Sequence, residues 1–268
     1  MNAKTMQNNN HLKSLKPNPE AEWFGYQRIE PDQKTRNVIN VFDSVAEKYD
    51  RMNDIMSFGL HRYWKDRFVR KIMPRRGMHV LDVAGGTGDI AFRLHKKTGK
   101  EGLVSICDIN RNMLEVGRYR AFNKGIVPDR DNGLEFICAN AENLPFCDNT
   151  VDVFTIAFGL RNVTHVDNAL TEARRVLKPG GRFFCLEFSR MDHAILDRVY
   201  DFYSFKVIPQ MGGIVAKDKP SYRYLVESIR RFPDQEHLAD RIRTAGFENV
   251  KFENLIFGVA AIHQGLKL

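Results

Sequence analysis

One glycine-rich stretch constrains the fold of this chain more than any other feature. It is the run Val80-Leu81-Asp82-Val83-Ala84-Gly85-Gly86-Thr87-Gly88-Asp89-Ile90-Ala91. Residues 79–84 are apolar enough for a strand that is buried on both faces. The glycines allow a sharp turn and a close approach of the backbone to a ligand, and helical spacing resumes at residues 89–94. A strand, a glycine turn and a helix whose first N–H groups point back at the turn predict a cofactor-binding loop.

The length and composition favour a single large α/β domain. The chain has 268 residues, of which 43% are apolar, and this is enough for a sizeable core. No apolar run approaches the ~20 residues that a membrane span requires. Residues 1–22 are polar and rich in Asn and Lys, without an apolar core or an arginine. We therefore expect a disordered tail rather than a secretory signal or a mitochondrial presequence, and a cytoplasmic protein.

Strands and helices alternate after the glycine-rich loop. The predicted strands are residues 79–84, 103–108, 134–138, 151–157 and 181–188. The helices predicted between them are residues 89–97, 111–124 and 166–177. Lys178-Pro179-Gly180-Gly181 supplies a turn before the fifth strand. This βαβ rhythm predicts a doubly wound, Rossmann-like parallel sheet.

The flanking segments complete a single domain over residues 23–268. Residues 23–76 predict a helical N-terminal cap, with helices at 37–49 and 61–73, ahead of the cofactor-binding core at 77–190. Residues 191–230 predict a helical, aromatic-rich insertion on the substrate side. Residues 231–268 predict a last helix at 234–245 and then two alternating runs, 249–257 and 259–267, that pair as an antiparallel hairpin.

The glycine loop alone leaves the identity of the cofactor open. Residues 86–91 fit the permissive dinucleotide pattern GxGxx(G/A), and Asp108 follows Gly88 by 20 residues. A nicotinamide dehydrogenase is therefore an alternative. Three features favour a class I S-adenosylmethionine-dependent methyltransferase instead. They are Asp82 inside the strand, the lack of a second βαβαβ half and the terminal hairpin.

Residues that follow the first three strands are the candidate cofactor ligands. Gly86 lets the backbone approach the methionine moiety, and Thr87 offers a hydroxyl group. Asp108 is placed to accept hydrogen bonds from both ribose hydroxyls, although a role as a helix N-terminal acid is the alternative. Asn140 and the Ala141 amide are placed to contact the adenine edge, and an Asx turn at Asn140 is compatible with that role.

The segment after the fourth strand bears on the methyl acceptor. Amine and adenine N-methyltransferases tend to carry an (N/D)PP(Y/F) run there, whereas this chain has Ala157-Phe158-Gly159-Leu160-Arg161-Asn162-Val163. The chain also lacks a Pro-Cys pair, which supplies the nucleophile of a cytosine C5-methyltransferase. The net charge of +8 is compatible with nucleic acid, an anionic membrane surface or simply a basic enzyme. We therefore expect no nucleic-acid acceptor.

Four stretches of the chain together resemble a known family. The more specific ones are the YDxMN run at 49–53 with Ser57, His61 and Trp64, and the FGLRN run at 158–162, which accompanies the glycine loop at 84–89. The others are the WFGYQ run at 23–27 and the RVLKPGG run at 175–181, which continues to Glu187 and Ser189. The chain resembles the ubiquinone/menaquinone biosynthesis C-methyltransferase family (UbiE type) over most of residues 23–268.

The resemblance implies that S-adenosylmethionine methylates a ring carbon of a polyprenylated benzoquinol or naphthoquinol. It places cofactor ligands at Thr87, Asp108 and the Asn140-Ala141 pair. In many family members a serine after the fourth strand also binds the cofactor, and this chain has Ala157 there. A homodimer or a larger quinone-biosynthesis complex is left open.

The resemblance also points to Arg161, Asn162 and Tyr49 around the reacting ring. Removing a proton from a ring hydroxyl concentrates electron density at the ortho carbon, and the fixed charge of Arg161 would stabilise that phenolate. A guanidinium is a poor base because its pKa lies above ~12, so water held by Tyr49 and Asn162 is the expected proton relay. The alternative is that Arg161 only pairs with a carboxylate such as Glu187.

A substrate with a prenyl tail implies contact with a membrane. We expect peripheral binding to anionic lipid on the inner face through the basic face of helix 61–73, with a merely solvated face as the alternative. The aromatic residues at 200–205, with Met56 and Phe58, are the candidate slot for the tail, although such residues more often only pack one helix against another. A methyltransferase for another small molecule, a nicotinamide enzyme and a non-catalytic cofactor-binding subunit are the remaining alternatives.

Overall fold

The computed structural model describes residues 21–45, 53–54, 57, 59–191, 205–206, 209–210 and 218–268. The strands are β1 (Glu22–Phe24), β2 (Gln27–Ile29), β3 (His79–Val83), β4 (Leu103–Asp108), β5 (Leu134–Cys138), β6 (Val151–Ala157), β7 (Leu177–Phe188), β8 (Glu248–Leu255) and β9 (Ala260–Leu266). The α-helices are α1 (Pro31–Val45), α2 (Leu60–Ile72), α3 (Asp89–Thr98), α4 (Arg111–Asn123), α5 (Val166–Val176), α6 (Lys219–Arg231) and α7 (Gln235–Thr244). A 3₁₀ turn, Leu160–Asn162, follows β6.

Seven strands form one mixed sheet in the order β5-β4-β3-β6-β7-β9-β8. Strands β3 to β7 run parallel, whereas β9 is antiparallel to β7 and β8 is antiparallel to β9. The strand order reverses between β3 and β6. The chain first adds β4 and β5 on one side of β3 and then adds β6 and β7 on the other side. Ligands of such sheets bind outside the carboxyl ends of the strands at this switch point. The predicted parallel sheet with a terminal antiparallel hairpin is confirmed.

Most predicted boundaries agree with the structure, and two predictions were wrong. Residues 178–181 are not a turn ahead of the fifth strand but a bulge inside β7, since the pairing with β6 jumps from Val151–Leu177 to Val153–Arg182. Gly180 has a φ of 77° in this bulge. The N-terminal cap is also not wholly helical, because β1 and β2 pair as a short antiparallel hairpin before α1. Strands of three residues are too short to show an alternating pattern.

Helix α2 belongs to the central core. Trp64, Phe68 and Ile72, which the sequence places on one helical face, are buried in the same cluster as strands β3, β4 and β7. The Phe68 ring meets that of Phe184 on β7 edge to face, with 6.5 Å between centroids. The helix ends before Met73, whose φ is 46°, because a residue that precedes proline avoids helical geometry.

Several predicted segments lie outside the described residues. They include the tail at 1–20, residues 46–52 with Tyr49, Met56, Phe58 and most of 192–217. Within the aromatic insertion, α6 confirms the helical prediction for residues 219–230. None of the helices in the described part of the chain has the length and apolar character of a membrane span.

We expect Phe68→Ala to lower the free energy of unfolding by about 3–5 kcal/mol, because the replacement leaves a cavity in the core that α2 shares with the sheet. The matched control is Tyr63→Ala on the same helix. The Tyr63 side chain is 50% exposed, so its loss should change stability by no more than about 0.5 kcal/mol. Denaturant unfolding measures both. Equal effects would contradict the assignment of α2 to the core.

Candidate functional site

A deep pocket opens at the switch point between β3 and β6. Its floor is formed by the loops that follow β3, β4, β5 and β6, and helix α1 covers one side with Val38, Ile39 and Phe42. Every predicted cofactor residue lines this pocket: Gly86, Thr87, Asp108, Asn140 and Ala141. The structure thus brings together side chains from three separate strand ends. Whether they bind a cofactor stays a prediction at this point.

The glycine loop and the end of β4 are joined through one carboxylate. The Gly86 amide donates to Asp108 Oδ2 over 2.8 Å, and the Asn110 amide donates to Asp108 Oδ1 over 2.8 Å. Gly86 has a φ of 52°, and a Cβ there would lie 3.1 Å from the Met113 side chain. Each carboxylate oxygen keeps further lone pairs that can accept from a ligand. Burial raises the pKa of Asp108 to about 6, although the backbone donors lower it.

Thr87 and Asn140 each form a hydrogen bond within the protein and keep a donor for a ligand. The Thr87 hydroxyl accepts from Arg120 Nη1 of α4 over 2.8 Å, so its proton is free to point elsewhere. Asn140 Oδ1 accepts from the Glu142 amide over 3.0 Å. This is the Asx turn considered as the alternative to adenine contact, and it leaves the Asn140 side-chain NH₂ group as a donor.

Asp82 is a fully buried acid at the bottom of the pocket. Its Oδ1 accepts from the Thr155 hydroxyl of β6 over 2.8 Å, whereas Oδ2 is buried without a hydrogen-bond partner among the described residues. Burial raises the pKa of Asp82 to about 7, and the nearby carboxylates of Asp108 and Asp89 raise it further. An unpaired buried acceptor is costly, so this oxygen marks a place where a ligand could donate.

Lys65 is a pocket residue that the sequence analysis missed. It is buried, and its Nζ donates to Asp89 Oδ2 at the start of α3 over 2.8 Å. Lys65 is the one cationic side chain among the described residues that line the pocket. Lys65 lies on the same helical face as His61, Phe68 and Ile72. A lysine on a face whose other positions are buried is the sequence pattern that could have identified it.

The FGLRN segment follows β6 and lines the pocket on the other side of β3 from Asp108. Gly159 passes so close to the end of β3 that a Cβ there would lie 2.3 Å from the Cβ of Ala84. Ala84 and Phe158 have φ values of 51° and 56°, an uncommon conformation for residues other than glycine. This close approach places Asn162 on the pocket wall beside Phe158 and Gly159. Ala157, in place of the family serine, also lines the pocket.

Arg161 makes an ion pair with Glu187, which the sequence analysis gave as the alternative to a catalytic role. Arg161 Nη1 donates to Glu187 Oε1 over 2.7 Å and to the Phe158 carbonyl over 2.6 Å, and both charged side chains are 2% exposed. Arg161 borders a second cavity with Trp23, Lys34, His165 and others, not the pocket of the glycine loop. The pairing is thus observed, whereas a catalytic role for Arg161 stays a prediction. Tyr49 lies outside the described residues.

The pocket residues fit S-adenosylmethionine. Its amine can donate to the unpartnered Asp82 Oδ2, and its carboxylate matches the Lys65 ammonium. Its ribose hydroxyls match the Asp108 carboxylate. The positive φ of Gly86 favours glycine, so the backbone faces the ligand there without a side chain.

The raised pKa of Asp82 predicts a pH-dependent cost to stability. Between about pH 4 and pH 7 the folded protein keeps the Asp82 proton. The unfolded chain loses it, because Asp82 then has its ordinary pKa of 3.8. The folded state therefore binds more protons, and stability falls as pH rises. Asp82→Asn removes this term. We expect the stability of the variant relative to the parent to rise by about 3 kcal/mol between about pH 4.5 and 7.5.

Urea unfolding of ligand-free protein at several pH values measures this difference. Asp129→Asn, at an exposed aspartate, is the control and should show no such trend. A difference between Asp82→Asn and the parent that stays constant with pH would contradict the assignment of a buried acid with a raised pKa.

Comparisons with known proteins agree with the fold and the pocket. The family model of the ubiE/COQ5 methyltransferase family matches residues 30–267. The ubiquinone/menaquinone biosynthesis C-methyltransferase UbiE of Brucella abortus (strain S19) is 54% identical over 247 residues, covering 91% of this chain and 90% of that protein. The mitochondrial 2-methoxy-6-polyprenyl-1,4-benzoquinol methylase of Oryza sativa subsp. japonica is 52% identical over 263 residues, covering 92% of this chain and 89% of that protein.

A solved structure from Thermotoga maritima, a SAM-dependent methyltransferase described as a possible histamine N-methyltransferase, is similar with a TM-score of 0.60. It is 21% identical and covers 86% of this chain and 100% of that one. At this identity the likeness shows the fold, and the predicted class I methyltransferase fold is confirmed. Because the family model spans nearly all the described structure and two relatives are more than 50% identical over nine tenths of the chain, the chain belongs to the ubiE/COQ5 methyltransferase family.

Proposed function

We propose that the protein transfers a methyl group from S-adenosylmethionine to a ring carbon of a polyprenylated benzoquinol, a demethylmenaquinol or both. The observation that carries the proposal is that Asp108, at the end of β4, and Asn162, after β6, line one pocket from opposite sides of β3. Asp108 belongs to the strand-end set that suits the ribose, and Asn162 belongs to the FGLRN run that the resemblance associates with the ring. The names of the two relatives support this choice of acceptor.

The chain's own residues bind the donor, orient the acceptor and exclude water. When bound, S-adenosylmethionine supplies a methyl group that is already activated by its sulfonium. Asp82, Asp108 and Lys65 would bind the amine, the ribose and the carboxylate. The apolar side chains of α1 line the pocket, and with both partners bound they would exclude water from the reacting groups and strengthen electrostatic interactions inside. Fixing both partners in one orientation supplies much of the acceleration.

On the acceptor side, Asn162 borders the pocket and offers a neutral side-chain donor to a ring oxygen. A hydrogen bond to that oxygen favours its ionised form and raises electron density at the ortho carbon. Arg161 adds positive charge behind Asn162, reduced by its partner Glu187. Tyr49 and a water molecule remain our proposal for the proton path.

The decisive experiment is a methyl-transfer assay with purified protein, labelled S-adenosylmethionine and two acceptors, a demethylated ubiquinol precursor and demethylmenaquinol. We expect label in the ring of at least one of them. Absence of transfer to both, in a protein that binds S-adenosylmethionine by calorimetry, would sink the acceptor proposal and favour another small molecule. Thermal stabilisation by NAD instead of S-adenosylmethionine would favour the dehydrogenase alternative.

We also propose that the exposed basic side of α2 and the residues after it contact anionic lipid. Arg67 and Lys71 pair with Glu253, whereas Arg70, Arg75 and Arg76 are exposed. Vesicles of anionic lipid should sediment with the protein at low salt and release it at high salt, because exposed charges are screened. Equal binding to neutral vesicles, or none to anionic ones, would contradict the proposal.

Asp108→Ala should weaken the binding of S-adenosylhomocysteine by roughly 10- to 100-fold, since a hydrogen bond to a charged group contributes about 1.5–3 kcal/mol. Calorimetry measures the change, with Asp129→Ala at an exposed aspartate as the control. Unchanged affinity would remove Asp108 from the cofactor ligands.

Arg161→Ala is a poor test of catalysis, because an unpaired buried Glu187 would cost about 3–5 kcal/mol of stability. The double variant Arg161→Met with Glu187→Gln removes both charges. We expect it to fold, to bind S-adenosylhomocysteine like the parent and to lose most quinol methylation. Turnover near that of the parent would remove Arg161 from the catalytic residues.

A further inference from the structure

We infer that Tyr224 is a positioning residue for methyl transfer, which orients the Asn162 side chain toward the acceptor. The inference rests on the proposed function. Tyr224 lies on α6, which is 62 residues from Asn162 in sequence, and its hydroxyl donates to Asn162 Oδ1 over 3.1 Å. No sequence pattern connects the two residues, and the contact is made only by the tertiary fold.

The direction of this hydrogen bond decides what the Asn162 amide can offer. An asparagine side chain has one carbonyl oxygen, which accepts, and one NH₂ group, which donates. The hydrogen bond from Tyr224 fixes the plane of the amide with its oxygen toward Tyr224, so the NH₂ group is directed away from Tyr224 and is the donor that Asn162 can offer to a ligand. Asn162 lines the pocket of the glycine loop, whereas Tyr224 lines the second cavity behind it. The amide thus accepts on its rear side and donates toward an oxygen atom of the acceptor ring.

Packing of its ring and the hydrogen bond of its hydroxyl both hold the Tyr224 side chain in place. Its buried ring stacks on Phe24 of β1, with 4.1 Å between centroids and 16° between planes. Burial raises the pKa of Tyr224, although the nearby Arg161 charge lowers it. The hydroxyl therefore remains a donor through the neutral pH range, and the amide orientation does not change with pH there.

The N-terminal hairpin and α6 support the same contact. The Tyr26 amide donates to Glu227 Oε2, which lies one helical turn beyond Tyr224, over 3.2 Å. The Arg231 guanidinium lies over the Trp23 ring at 3.5 Å from its centroid. The WFGYQ run of the resemblance thus acquires a physical role, since it is the surface on which α6 presents Tyr224.

The experiment compares three variants in the quinol methylation assay: Tyr224→Phe, Asn162→Ala and the double variant. Tyr224→Phe keeps the ring, its stacking on Phe24 and its burial, and it removes only the hydroxyl. We expect a kcat about 10- to 100-fold lower, as for a misplaced substrate-orienting group, with the affinity for S-adenosylhomocysteine unchanged. In the Asn162→Ala background, removal of the hydroxyl should lower kcat by less than about twofold, because the two residues act as one unit.

Tyr222→Phe is the matched control, because it removes a hydroxyl from a second buried tyrosine of α6. We expect kcat within about twofold of the parent, because Tyr222 borders neither of the two cavities. A loss in Tyr222→Phe equal to that in Tyr224→Phe, or additive losses in the double variant, would overturn the inference and leave a structural role. If Asn162→Ala lowers turnover and Tyr224→Phe does not, the inference fails and the proposed function stands. If Asn162→Ala has no effect, the assignment of Asn162 fails as well.

Discussion

The buried pair of Arg161 and Glu187 fixes the one loop on which both halves of the site depend. Glu187 accepts from the Arg161 guanidinium, the Arg161 amide and the Phe188 amide, so the carboxylate that the end of β7 carries into the core has three donors. Arg161 in turn donates to the Phe158 carbonyl. Phe158 has an uncommon positive φ, which persists only where the surroundings determine it. The pair therefore stabilises the turn that carries Asn162 into the pocket.

The opposite wall of the pocket concentrates negative charge. Asp82, Asp89 and Asp108 surround the glycine loop, and Lys65 compensates one of them. Burial raises the pKa values of Asp82 and Asp108, so each carboxylate costs folding free energy when it is ionised without a partner. A cationic ligand offsets this cost by supplying donors and positive charge. A sulfonium donor with a free amine has that charge, whereas a dinucleotide with a pyrophosphate does not.

The sequence predicted the donor side well and the acceptor side poorly, and the reason is physical. Strands β4, β5 and β6 and the loop around Gly86 are encoded by contiguous periodic segments, so local patterns find them. The pairing of Arg161 with Glu187 was only one of two alternatives, because no sequence pattern connects residues that are 26 positions apart. Tyr224 was missed for the same reason, since 62 residues separate it from Asn162. The sequence predicts a turn at 178–181, where the structure has a bulge, because glycine and proline are typical of both.

The division between a local donor site and a dispersed acceptor site bears on what fold similarity can establish. The glycine loop and Asp108 come from one βαβ unit, so any protein that shares the sheet can share the donor pocket. The acceptor wall needs the end of β6, the carboxylate of β7, α6 and the N-terminal hairpin together. A structural neighbour at 21% identity can keep the sheet and replace each of these elements. The chemistry of the acceptor therefore has to be argued from Asn162 and the residues that position it, and not from the sheet.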